Sequence, residues 1–86
     1  MSTNETNVTI PTPSASVDAT VRAALPRLAD LREAAGVSQA FVAARCGVTR
    51  FAVSRWESGE RVPTGFTASA LAVVLDELGA FDGADR

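Results

Sequence analysis

The chain has 86 residues, 47% of them apolar, and a net charge of −2 from eight basic and ten acidic side chains. That bounds it to one small domain with a thin core and little stability to spare, and the acidic balance does not advertise a nucleic-acid partner. A single cysteine and the absence of histidine exclude an internal disulfide, a Cys/His zinc site and histidine acid–base or triad chemistry.

Residues 1–16 are rich in Ser, Thr, Asn and Pro, with Pro11 and Pro13 close together. Such a composition cannot repay the entropy of folding, so this tail is expected to be disordered. It holds no Arg or Lys and cannot act as a basic arm in a DNA groove. It has neither the basic start nor the apolar run of a secretory signal. No stretch of the chain nears the roughly 18 apolar residues of a membrane span. A cytoplasmic location, with no membrane partner, is the expectation.

Helical periodicity begins at Val17. Val17, Val21, Leu25, Leu28 and Leu31 recur at three- and four-residue steps, which marks one face of a helix. The folded domain is therefore expected over 17–82, with 83–86 as a flexible end. Pro26 lacks a donor and crowds the preceding turn. The firm helix is thus 26–35 with Pro26 in its first turn; a helical turn or two over 17–24, kinked at Pro26, is compatible with the pattern. Gly36 ends it in a left-handed cap. Ser38 is the next N-cap, with Phe41, Val42 and Cys46 following, and Gly47 stops that helix. Thr49 caps a third helix that ends at Ser58-Gly59. Pro63 and Gly65 mark a loop, and Thr67 is the expected cap of a fourth helix carrying Ala68, Leu71, Ala72, Val74, Leu75 and Leu78, closed by Gly79. No β-alternation of useful length is present. The fold class is all-α: a compact bundle of four to five short helices around a central helix-turn-helix.

The third helix poses the functional question. Wound at about 100° per residue, it puts Ala52, Val53 and Trp56 on one side and Arg50, Phe51, Ser54, Arg55 and Ser58 on the other. The first set is a core face. The second should meet water, yet it sets a phenylalanine among arginines.

Two short helices, 38–46 and 49–58, joined at Gly47 form a helix-turn-helix pattern. Over residues 31–63, LREAAGVSQAFVAARCGVTRFAVSRWESGERVP, the sequence resembles the Cro and lambda-repressor type of helix-turn-helix family, and the resemblance covers about residues 26–78. It is carried by Arg32 before Gly36, Ser38-Gln39, Ala43, Gly47-Val48-Thr49, Ser54-Arg55-Trp56-Glu57 and Gly59. Some of these have physical reasons of their own. Ala43 faces the crossing of the two helices, where a larger side chain would push them apart. Gly47 supplies a positive φ. Val37, Val42, Cys46, Val48, Val53 and Trp56 make a wedge of core, closed by Leu28, Leu31, Leu71 and Leu75. Cys46 reads as a small buried hydrophobe. Gln39 and Thr49 begin helices, where free N–H groups and the dipole favour a phosphate.

The resemblance implies more. It places helix 49–58 in the major groove, with Arg50, Phe51, Ser54 and Arg55 at the base-reading positions. Arginine can donate twice to guanine, and phenylalanine can pack on a thymine methyl. Partial burial against a neighbouring loop and a protein contact are the alternatives for Phe51, and Phe41 also projects outward. Gln39, Thr49, Ser58 and Arg61 form the phosphate set, with Gln39 also bracing the recognition helix; Ser58 could equally serve only to start the turn at Gly59. Arg32 and Glu57 align with a charged pair in the family, so an ion pair is expected between them. Residues 37–66 hold four arginines against two glutamates, so a positive face can sit on a negative protein, although Glu60 stands where the family often has a basic residue.

The resulting expectation is a sequence-specific double-stranded DNA-binding transcriptional regulator of the phage- or plasmid-type repressor kind, with no cofactor, no metal and no enzymatic activity. Its rival is a protein-binding module, such as the DNA-binding antitoxin of a toxin pair or an anti-repressor partner, using Phe41, Phe51 or Phe81. An inverted-repeat operator and a weak homodimer through residues 74–82 are expected, with Val74, Leu78 and Phe81 at the contact. Against this, Leu78 and Phe81 could fold back over Leu28 and Val21.

Overall fold

The structure, a computed structural model, describes residues 13–81. Five α-helices follow one another: α1 (Pro13–Ala24), α2 (Leu28–Ala35), α3 (Gln39–Cys46), α4 (Arg50–Ser58) and α5 (Gly65–Glu77), with a 3₁₀ turn at Leu25–Arg27 between α1 and α2. No strand occurs among the described residues. Residues 1–12 of the expected tail and the expected flexible end at 83–86 lie outside the described residues.

The N-terminal helix is longer than its periodicity suggests. The sequence supports a turn or two from Val17, whereas α1 starts at Pro13 and runs three turns. Proline is tolerated at a first helical position because the N–H it lacks would be unpaired there. What makes the helix worth forming is tertiary. α1 lies along α5, and Val21 and Ala24 are buried there, with Val17 packed beside them. Pro26 then splits the expected helix 26–35. It sits in the 3₁₀ turn, and the regular α-helix resumes only at Leu28.

The next two caps fall where expected. The Ser38 hydroxyl accepts from the Phe41 N–H at 3.0 Å, and the Thr49 hydroxyl accepts from the Ala52 N–H at 3.3 Å. Each satisfies one of the unpaired donors at a helix start. α5 differs from expectation. It begins at Gly65 after Thr64, which makes no side-chain cap bond, and Thr67 is an interior, half-buried residue. Pro63 is buried and fixes the entry to α5, so packing rather than a hydroxyl sets that start. The helix ends at Glu77, and the Ala80 N–H returns to the Leu75 carbonyl at 2.9 Å.

Leu28, Leu71, Leu75, Val21, Val42, Val53 and Val74 are the largest fully buried side chains. They come from α1, α2, α3, α4 and α5, so each helix contributes to one shared core. Ala43, Cys46 and Trp56 are buried among them, while Val48 and Leu31 pack partly exposed on the edge. Val37 stands outside this cluster. Its carbonyl is engaged instead, accepting from Arg32 Nη1 at 3.1 Å.

The expected dimer segment requires correction. Val74 is 1% exposed, and Leu78 and Phe81 pack against the same core. A bond from Arg27 Nη2 to the Ala80 carbonyl, 2.9 Å, ties this end down to the 3₁₀ turn. These apolar residues fold back on their own chain because a domain this small needs the area. Residue 82 lies outside the described residues. The outward apolar side chains of α5 are Phe66 and Val73.

Candidate nucleic-acid interface

α3 and α4 pack on each other through a three-residue connection, Gly47-Val48-Thr49. Gly47 has φ +71°, and the added Cβ of any other residue would meet nothing within 4 Å. The glycine is therefore required by backbone conformation, not by space. The Val48 N–H then reaches back to the Ala43 carbonyl at 3.0 Å. Together with the Gly47 N–H, which donates to the Ala44 carbonyl at 3.4 Å, this bond closes the end of α3 and turns the chain so that α4 can start at once.

A polar network fixes the angle of α4 from the other side. Glu57 accepts from Arg32 Nε at 2.8 Å, from Arg32 Nη2 at 3.3 Å and from Gln39 Nε2 at 2.9 Å. The Arg32 and Glu57 side chains are only 13% and 10% exposed. The hydrogen bond to Glu57 raises the Arg32 pKa above the already high arginine value, burial opposing it and the Glu57 charge adding to it. α2, the start of α3 and the end of α4 are thus clamped on one carboxylate. Gln39 is half-buried, and its amide nitrogen is committed to this clamp. The N–H groups at the start of α3 are what it leaves for an anion.

With Val53 and Trp56 buried, α4 turns Arg50, Phe51, Ser54 and Arg55 to solvent. Phe51 is 63% exposed. Among the described residues no carboxylate lies within ion-pair distance of Arg50, Arg55 or Arg61. Arg45, at the end of α3, is different: it pairs with Glu77 at 2.7 Å. That bond holds the Glu77 carboxyl below its ordinary range. The local excess of positive charge is therefore concentrated on α4, at Arg50 and Arg55, since Arg61 beyond it stands next to the exposed Glu60.

Thr49 is exposed at the head of α4, next to Arg50 in the chain, with its hydroxyl occupied as a cap. Ser58 lies at the opposite end of α4. Its hydroxyl donates to the Arg55 carbonyl at 3.0 Å and accepts from the Glu60 N–H at 3.3 Å, so it finishes the helix. Arg61 is exposed just beyond it. Phe41 is 42% exposed on α3, with the Arg45 guanidinium 5.8 Å from its ring centre. Among the described residues the most exposed large apolar side chain is Phe66, at 96%. Periodicity gives no sign of it, because with Thr67 as the cap the expected helix begins at Ala68, two residues past Phe66, whereas α5 begins at Gly65. Among the described residues no group of His, Cys, Asp or Glu side chains gathers to hold a metal ion, and no helix is long and apolar enough to cross a membrane.

Two helices joined by a glycine turn, the second braced by a part-buried ion pair and presenting arginines that are unpaired among the described residues, define a helix-turn-helix DNA-binding domain with a regulatory role. The helix-turn-helix family pattern matches residues 28–78, α2 through the end of α5, and this chain belongs to that family. No curated protein and no solved structure matches the chain significantly.

Proposed function

We propose that this protein is a sequence-specific regulator of transcription, of the small repressor kind, acting in the cytoplasm on double-stranded DNA. It seats α4 in the major groove, reading base edges with Arg50, Phe51, Ser54 and Arg55. The starts of α3 and α4, at Gln39 and Thr49, meet backbone phosphates, and Arg61 adds a third phosphate contact. The observation that carries this reading is the spent and unspent charge around α4. Arg32 and Arg45 are neutralised within the fold, while Arg50 and Arg55 project from the recognition helix unpaired among the described residues. An α-helix fits the major groove, and arginine reads guanine there.

Selection of bound duplexes from a random pool tests it. The expected result is one enriched motif, whose affinity falls steeply with salt as phosphate contacts release counterions. A single module of this kind covers only about 600–1,000 Å². Two copies on an inverted repeat are therefore expected, and the binding stoichiometry on a symmetric site reads this directly.

A protein-binding reading, such as the DNA-binding antitoxin of a toxin pair, rests on a separate observation. Phe41, Phe51 and Phe66 are all exposed, and exposed aromatics mark partner surfaces. They lie on α3, α4 and α5. A pool that yields no enriched sequence even at low salt would shift the weight to this reading.

A further inference from the structure

Arg50 and Phe51 are neighbours at the head of α4, and the Arg50 guanidinium lies over the Phe51 ring at 5.1 Å from its centre. The same pairing occurs on α3, between Arg45 and Phe41 at 5.8 Å. The two differ in what the cation does next. Arg45 is bonded to Glu77, so that pair is a closed surface clip. Arg50 has no carboxylate within ion-pair distance among the described residues, and the ring attracts it without consuming a donor. Its in-plane N–H groups stay free for a second partner.

We propose that Arg50 and Phe51 act as one reading unit for a single dinucleotide step: a guanine whose neighbour on the same strand is a pyrimidine carrying a C5 methyl. The inference rests on the DNA-binding reading above and deepens it. Arg50 donates to guanine N7 and O6, and Phe51 lays its ring on the adjacent methyl. The spacing fits. Successive bases on one strand rise by about 3.4 Å, and the guanidinium and ring centres are 5.1 Å apart, a separation wide enough for the two groups to address neighbouring bases. Covering the cation with the ring and the methyl also excludes water from the bonds to guanine. The chemistry recognises a methyl group at C5, and both thymine and 5-methylcytosine carry one there. The unit therefore makes binding sensitive to cytosine methylation.

The experiment starts from duplexes enriched in the selection and compares pairs differing by one methyl. At the pyrimidine position, thymine is set against uracil and 5-methylcytosine against cytosine, with affinities measured by fluorescence anisotropy. The wild type is expected to favour the methylated member of each pair about fourfold, the worth of one buried methyl. In Phe51→Ala both ratios fall to about one. Replacing the neighbouring guanine by 7-deazaguanine is expected to weaken the wild type about tenfold and leave Arg50→Ala unchanged, with a reduced effect in Phe51→Ala. Both side chains are exposed, so melting curves of the variants should overlay the wild type. A wild-type methyl ratio near one in both pairs overturns the proposal, as does an enriched motif lacking such a step; DNA binding survives in either case. A pool with no enrichment at all removes the DNA reading and the step together.

Discussion

Glu57→Ala is the substitution on which the fold should depend most sharply. The side chain is 10% exposed and accepts three hydrogen bonds, two from Arg32 and one from Gln39. Truncation leaves the Arg32 guanidinium, 13% exposed, with the Val37 carbonyl and a weak 3.8 Å approach to Glu33 as its partners. Breaking a buried pair by removing one member costs about 3–5 kcal/mol, because the other charge stays behind uncompensated. The slight exposure of both groups lets water in and favours the lower end, about 3 kcal/mol. For a domain of this size each kcal/mol moves the melting temperature by roughly 4–8 °C, so a drop of roughly 12–24 °C is expected. Glu60→Ala is the control. Glu60 is exposed and its side chain makes no bond among the described residues, so its loss should stay within about 0.5 kcal/mol. Circular dichroism melts of the two variants decide the matter. A Glu57→Ala melt within the error of Glu60→Ala refutes the reasoning. Replacing Arg32 and Glu57 together by leucine should recover much of the loss, since no stranded charge remains.

Other outcomes follow from the same geometry. Gly47→Ala should cost about 1–2 kcal/mol, the strain of a left-handed L-residue, by urea unfolding; an unchanged midpoint would mean the turn can relax. Arg50→Ala and Arg55→Ala should each relax preference at one base position by about 1–3 kcal/mol, whereas Gln39→Ala should weaken all sequences alike and lower the melting temperature slightly. Equal loss at every site for Arg50→Ala would reassign that residue to phosphate. Burial pushes the Cys46 thiol above its ordinary pKa, the nearby Arg45 opposing only in part. It should thus be protonated at neutral pH and react with iodoacetamide far more slowly than after unfolding, with alkylation rates as the readout. Phe81→Asp should lower the melting temperature, because Phe81 packs on the core; a variant of wild-type stability and altered sedimentation would return it to a surface role.

Local chemistry determined the middle of this protein. Ser38, Gly47 and Thr49 mark their helix ends through bonds and dihedrals made within a few residues, so spacing alone located α3, the turn and α4. The outward face of α4 was legible for the same reason: nine residues of one helix sort into two sides, and Val53 and Trp56 left Arg50, Phe51, Ser54 and Arg55 facing water. Contacts between distant segments decided the rest. α1 gains its extra turns by lying on α5, and the α5 start is set by the buried Pro63, not by Thr67. Glu57 gathers Arg32 and Gln39, and resemblance alone pointed to the charged pair. Phe81 illustrates the limit most simply. Apolar content says that a side chain will be covered. It does not say whether a second chain or its own core will cover it, because burial depends on where the other helices stand.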